Sequence, residues 1–351
     1  MPRRSPPRGT TARKAQHVDL VVRKNVTFRA KESGLDAWDF VHNALPEIDL
    51  ADVRTSVTFL NHTLQAPLLV SCMTGGYAGA LRINRDIALA CQQAGIAMGV
   101  GSQRQALEDT TYHRTFAIAR EVAPDIPIIG NIGAAEVATM RDATAVLRLI
   151  ELIRADAFTV HLNPLQELLQ PEGTPRFRGV LAGIAMLVRE LPVPVIVKEI
   201  GAGLSADVVR RLLDAGVRII DVAGAGGTSW AGVELLRGAA PYGHETFWDW
   251  GIPTATAIAD AAAWKTPDRP FTLVASGGIT SALDAARAIA LGADLAGSAR
   301  PMITELRRHG KAGLEQLLAR WQKELQGIMF LTGARTITDL QHAPLVRRTR
   351  E

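Results

Sequence analysis

Between residues 67 and 331, short uninterrupted apolar runs alternate with longer stretches in which apolar positions recur every three or four residues. The first pattern belongs to strands buried on both faces, the second to helices that press one face onto a core. The spacing predicts strands over 67–73, 96–101, 127–132, 157–162, 193–200, 219–223, 271–276 and 295–299. It predicts helices over 84–94, 115–123, 143–154, 179–191, 205–215, 254–264, 281–291 and 313–331. The helical period is plainest in 143–154, where Val146, Leu147, Ile150 and Ile153 share one stripe. Eight alternations of this kind are the count of a (β/α)8 TIM barrel, an α/β fold, with an open sheet of six or seven strands as the structural alternative.

The flanks lack that period. Residues 53–60 alternate like a short strand and Asn61-His62 reads as a hairpin turn, so 1–66 is assigned to an N-terminal tail and cap, 67–331 to the barrel and 332–351 to a C-terminal tail. One connection is out of scale. Gly224 to Pro253 spans roughly thirty residues, with Trp230, Trp248 and Trp250, where a βα loop takes about two to six. A lid over the barrel mouth, with part of it at an oligomer contact, is expected there.

Composition narrows the class. Of 351 residues 47% are hydrophobic but only 5% aromatic, so the core must be built from Ala, Val, Leu and Ile, which suits stacked β and α layers. Net charge is +4, and the excess sits in the first fourteen residues and the Arg-Arg-Thr-Arg end, both read as solvated tails; Pro2, Pro6 and Pro7 break any helix at the very start. No basic groove for nucleic acid emerges. Cys72 and Cys91 have no metal-ligand spacing, no apolar run of eighteen residues is present, and no signal peptide is expected. A reduced cytoplasmic protein without a membrane span is expected.

The chemistry lies where strands end, because the loops after barrel strands converge on one face. The sharpest case is His161-Leu-Asn-Pro-Leu-Gln-Glu167, four polar side chains in seven residues directly after the apolar run 157–160. By itself it reads equally as a capped strand-to-helix turn. Other strand ends repeat the pattern: Met73-Thr-Gly-Gly76, Gly101-Ser-Gln-Arg104, Gly130-Asn-Ile-Gly133, Lys198-Glu199, Ala223-Gly-Ala-Gly-Gly-Thr228, Ser276-Gly-Gly-Ile279 and Gly297-Ser-Ala-Arg300. Glycine lets backbone N–H groups approach a ligand, and the seventh and eighth loops of barrels commonly hold a phosphate. Only seven of 39 basic residues are lysines, so Lys198 at a buried strand end is conspicuous; it faces an anion or an electron-rich ring, or else pairs with Glu199. A cradle at strands seven and eight, amides at strand one, Asn131, Lys198 and Thr228 suit FMN, which needs hydrogen bonds along its pyrimidine edge and positive charge near N1. Arg13, Lys14, Ser102, Arg104, His161, Asn163 and Gln166 suit a second anionic group, and Glu167 is the one hard carboxylate for Mg²⁺ there.

These stretches, together with Arg13-Lys and His17, His42-Asn-Ala-Leu-Pro-Glu-Ile-Asp49 and Asp249-Trp-Gly-Ile-Pro-Thr254, resemble the type 2, FMN-dependent isopentenyl-diphosphate isomerases over nearly the whole chain. The resemblance implies a homo-oligomeric barrel enzyme, tetramer or octamer, that interconverts isopentenyl and dimethylallyl diphosphates with reduced FMN, Mg²⁺ and a reductant such as NADPH. It implies that Arg13, Lys14, Ser102, Gln103, Arg104, His161, Asn163 and Gln166 hold the substrate and that Glu167 holds the metal. FMN would be held by Cys72, Met73, Thr74, Ser102, Asn131, Lys198, Thr228, Gly277, Gly278, Ile279, Ser298 and Ala299. In catalysis Gln166 and His161 would position the substrate while Lys198 favours the flavin anion. The chain departs from the family at Ala15-Gln16, where acidic residues are usual, and at Ser298, where a bulkier residue is usual. The rival reading is an FMN-dependent 2-hydroxy-acid oxidase or dehydrogenase; those resemble one another in a His-Gly-Gly-Arg run near strand seven, where this chain has Ser276-Gly-Gly-Ile279.

Overall fold

The computed structural model describes residues 10–238 and 246–348. Eight parallel strands close into a barrel: β1 (Leu68–Val70), β2 (Ala97–Gly99), β3 (Ile128–Gly133), β4 (Ala157–His161), β5 (Val195–Lys198), β6 (Ile219–Asp221), β7 (Thr272–Ala275) and β8 (Leu295–Ser298). β8 pairs back onto β1 through Gly297 and Leu69, so no edge is left open. Each strand falls on its predicted run, except that β3 continues one residue past it to Gly133. The alternative of an open sheet is thereby set aside.

Helices pack outside the barrel as expected, except that the first begins four residues early, at Ala80, and the last differs more. The last one runs from Arg300 to Thr332 rather than starting at Gly313, and it breaks at Gly310, whose φ of 69° and ψ of −169° are not helical. Its first ten residues therefore form a separate helix that starts, with Pro301 in its first turn, at the mouth of the barrel.

The hairpin expected near Asn61 forms between Val57–Phe59 and His62–Leu64, turning at Leu60 and Asn61, both with positive φ. Its Phe59 and Leu64 pack against Leu69, Ala97, Ile129, Ala157, Ile196, Ile219, Val274 and Leu295, one side chain from each barrel strand. This layer seals the amino-terminal end of the barrel, and burying Phe59 alone is worth about 2 kcal/mol. The cavity lies at the opposite end.

Two expected tails are corrected. Arg13 and Lys14 do not belong to a solvated tail: Thr10–Arg23 is a helix whose Val18, Val21 and Val22 pack on the core. Burial of this apolar stripe stabilises the helix. The segment after the barrel is likewise docked, since Leu345–Arg347 pairs antiparallel with Trp38–Phe40, and Arg348 binds Asp39 through two nitrogens at 2.5 and 2.7 Å. Pro2, Pro6 and Pro7 lie outside the described residues. In the long connection the helix Trp230–Arg237 lies over the mouth, Trp248 is buried and Trp250 is 60% exposed. No helix among the described residues is long and apolar enough to cross a membrane.

Candidate active site

The carboxyl ends of the strands surround a cavity of about 560 Å³. Its glycine-rich side is made by the loops after β6, β7 and β8, which approach so closely that side chains are excluded. A Cβ on Gly277, whose φ is 91°, would lie 2.1 Å from the Gly224 carbonyl oxygen. A Cβ on Gly226 would lie 2.0 Å from the Ser33 nitrogen, so the N-terminal segment braces this cradle from outside. Ser298 Oγ donates to the Ile279 carbonyl at 2.9 Å and ties the last two loops together. The helix beginning at Arg300 starts beside the same place, with Arg300 and Pro301 lining the cavity. Ser71 Oγ, buried and lining the cavity at the end of β1, has no partner. A buried orphan hydroxyl beside a cradle of bare backbone fits a ligand that carries both a phosphate and a polar ring edge.

Between the two sides lie His161, Lys198 and Asn131. His161 Nδ1 donates to Asn131 Oδ1 at 2.6 Å, which fixes the tautomer. Burial, then the charges of Lys198 and Lys14, push the imidazole down to about 3, so it is neutral. Lys198 is 8% exposed and donates to the Glu199 carbonyl. The Glu199 carboxylate is engaged elsewhere, accepting from the backbone nitrogens of Ile200 and Gly201 at 2.6 Å each, and from Ala202. The alternative reading, an ion pair of Lys198 with Glu199, is set aside: Lys198 meets the Glu199 carbonyl instead. The Cys72 thiol is raised by burial and stays protonated.

The opposite side is built from charged side chains. Lys14 Nζ donates to the Ser102 carbonyl at 2.6 Å, and burial followed by the charge of Arg13 brings it down to about 7. Arg104 bridges Glu136 at 3.0 Å and Glu108 at 3.2 Å. Asn163 Nδ2 donates to Gln166 Oε1 and to Glu167 Oε1, both at 3.1 Å, and the backbone nitrogen of Thr174 donates to Glu167 Oε2 at 2.7 Å. Asn163 Oδ1 is buried without a partner. An unpartnered carbonyl oxygen beside a carboxylate fits a hard cation that keeps most of its own water. No three His, Cys, Asp or Glu side chains gather as metal ligands among the described residues.

Every predicted site residue lines this cavity except Gln103. Gln103 is fully buried behind it: Nε2 donates to the Leu149 carbonyl at 3.1 Å, and Oε1 accepts from the Asn131 nitrogen at 3.1 Å. It supports Asn131 and does not reach the substrate space. The sequence reading missed Glu234, at 0% exposure in the helix Trp230–Arg237. Gln166 Nε2 donates to Glu234 Oε1 at 3.0 Å, His17 Nε2 lies 3.0 Å from the same oxygen, and Arg237 binds Oε2 at 2.5 Å. Burial alone would raise this carboxyl, but His17, Arg237 and Gln166 outweigh it and hold it down to about 2. The i, i+3 spacing of Glu234 and Arg237 was its one signal in the sequence.

With that geometry in place, the relatives are decisive. An isopentenyl-diphosphate delta-isomerase of Chlorobaculum parvum is 46% identical over 352 residues, covering 97% of this chain and 98% of its own. The chain belongs to the isopentenyl-diphosphate delta-isomerases. A second isopentenyl-diphosphate delta-isomerase, of Pseudescherichia vulneris, is 46% identical over 342 residues and covers 95% and 96% of the two chains. A family described as FMN-dependent dehydrogenase matches residues 8–125 and 169–347 of this isomerase. The barrel recurs in solved structures of a mandelate oxidase, with TM-score 0.63 and 18% identity over 95% of this chain and 94% of that one. It recurs again in a lactate oxidase of Pediococcus acidilactici, with TM-score 0.69 and 13% identity over 99% and 97%. At such identities the likeness is one of fold. The isomerase lacks, at Ser276-Gly-Gly-Ile279, the His-Gly-Gly-Arg run of the oxidase reading.

Proposed function

We propose that this isomerase interconverts isopentenyl diphosphate and dimethylallyl diphosphate, holding FMN on the glycine-rich side of the cavity and a Mg²⁺-bound substrate diphosphate on the charged side. The observation that carries the reading is that both sides open into one cavity, with Lys198 and Gly277 lining it together with Lys14, Arg104 and Glu167. Gly277, Gly278, Ile279, Ser298 and Ala299 would hold the FMN phosphate. Cys72, Met73, Thr74, Ser102, Asn131, Lys198 and Thr228 would hold the ribityl chain and ring. Arg13, Lys14, Ser102, Arg104 and Asn163 would receive the diphosphate, and Glu167 with the Asn163 carbonyl would hold its metal.

Moving the double bond requires one proton added at an alkene carbon and one removed from the allylic carbon, with no net change in oxidation state. The side chains between the two sides are poorly matched to that task. His161 is neutral and its Nδ1 proton is committed to Asn131, Gln166 does not titrate, and Glu234 is held as an anion by His17, Arg237 and Gln166. Reduced FMN, when bound, supplies the acid and base that the chain lacks. The chain's part is to exclude water, to hold the alkene through Gln166 and His161, and to place the Lys198 charge against the ring. Gln166 is itself fixed from both ends, by Asn163 and by Glu234. A reductant such as NADPH keeps the flavin reduced, and the working enzyme is a homo-oligomer, tetramer or octamer.

The test is direct. Purified protein should be yellow and release FMN on denaturation, and after reduction it should convert isopentenyl diphosphate only when Mg²⁺ is supplied. Colourless protein that takes up no FMN would overturn the reading.

A further inference from the structure

Asp221 ends β6 at 2% exposure and forms no part of the cavity lining, yet it stands beside the residue that faces the ring. In the sheet its register partner on β5 is Lys198, and Lys198 is in turn the partner of His161 on β4. Asp221 Oδ1 accepts from Ser276 Oγ at 2.7 Å and from the Ala223 nitrogen at 3.1 Å; burial pushes its carboxyl up, and the charge of Lys198 is the largest influence that lowers it. The other titratable groups in the field of Lys198 are Cys72, His161 and Glu199. The thiol and the imidazole are uncharged, and Glu199 turns its carboxylate to three backbone N–H groups. A buried lysine without a counter-charge is costly, and a buried carboxylate equally so. Asp221 therefore has a specific electrical relation to Lys198 that the reaction as derived above leaves unused.

We propose that Asp221 is a positioning residue for Lys198: from behind the cavity wall it compensates part of the lysine charge, and so sets how strongly that charge stabilises the reduced form of the flavin. Ser276, which lines the cavity and donates to Asp221, supports that charge. The inference rests on the FMN reading, and its test is separable from it. A colourless protein defeats that reading, whereas a yellow protein whose flavin ignores Asp221 defeats this inference alone.

The experiment is a measurement of the reduction potential of the FMN-loaded enzyme by equilibration with a reference dye, with circular dichroism and FMN content confirming that each variant is folded and loaded. Asp221→Asn removes the compensating charge, so the potential should move to more positive values. In a Lys198→Met background the same substitution should leave the potential unmoved, since the group through which it acts is gone. Ser276→Ala strips a hydroxyl donor that holds the Asp221 carboxyl down against burial, so the potential should move the same way as in Asp221→Asn, by less. A wild-type potential in yellow Asp221→Asn protein would overturn the proposal, as would an equal shift with Lys198 replaced. Should Asp221→Asn fail to fold, an unmoved potential in Ser276→Ala contradicts the proposal on its own.

Discussion

The two sides of the cavity are built by different means, and under the proposed function each would hold a phosphorylated molecule. The side after β6, β7 and β8 uses backbone: glycines with positive φ, close loop approaches and a helix start within one contiguous third of the chain, braced from outside by Ser33. The side after β2, β3 and β4 uses side chains, and it borrows them. Lys14 arrives from the N-terminal helix and Glu234 from the long sixth connection, more than two hundred residues apart, to complete loops that cannot close the site alone. Backbone donors cost little to preorganise and are hard to alter without strain; long side chains lose rotamer freedom and can titrate. The first side is suited to a resident cofactor, the second to a substrate that comes and goes.

That contrast can be broken one side at a time. The largest effect is expected from Glu167→Gln, which keeps the shape and removes the charge: kcat/KM should fall about a thousandfold and the response to Mg²⁺ should vanish, while FMN content stays at the wild-type level. Gly277→Ala acts on the other side. Its Cβ meets the Gly224 carbonyl at 2.1 Å in a left-handed backbone. FMN affinity should fall on the order of 100-fold, read by fluorescence on dilution, with activity restored by excess FMN and substrate KM unchanged. Loss of substrate affinity instead would erase the division of labour.

Glu234→Gln removes a charged acceptor from Gln166 and leaves Arg237 buried without its closest anion. Activity should fall roughly 10- to 100-fold, and thermal unfolding should show a loss of about 3 kcal/mol. The smallest effect is a pH limb. Lys14 is brought down to about 7 in the free enzyme, so it is charged below that pH and neutral above it. An anionic diphosphate binds the charged form, so kcat/KM should decline by up to about tenfold as pH rises through that value, and Lys14→Arg should abolish the decline.

The same contrast explains what could be read in the sequence. Buried parallel strands are continuous apolar runs, and glycine pairs mark close backbone approaches, so the barrel and the glycine-rich side of the cavity were legible from local patterns. Loop by loop, His161 to Glu167 was also legible, because polarity straight after a buried strand is costly without a purpose. What depended on distant partners was not. Arg13 and Lys14 follow a proline-rich start and look solvated; only packing of Val18, Val21 and Val22 makes them part of a helix at the mouth. Gln103 sits between Ser102 and Arg104, both in the cavity, yet its side chain turns inward to serve Asn131. Glu234 looks like an ordinary helix-surface acid until His17 and Gln166 close over it. The C-terminal strand has no strong β pattern and is held by Trp38–Phe40 and by the Asp39–Arg348 pair.

The central claim is that one cavity holds a reduced flavin against a metal-bound diphosphate and moves protons without net electron transfer. It is tested most directly by supplying isopentenyl diphosphate and Mg²⁺ to FMN-loaded, photochemically reduced enzyme in D₂O, with no NADPH present, and following product and flavin colour together. Many turnovers of dimethylallyl diphosphate carrying solvent deuterium, with the flavin still reduced at the end, is the predicted result. Reoxidation of the flavin in step with product, or product free of deuterium, would contradict the account.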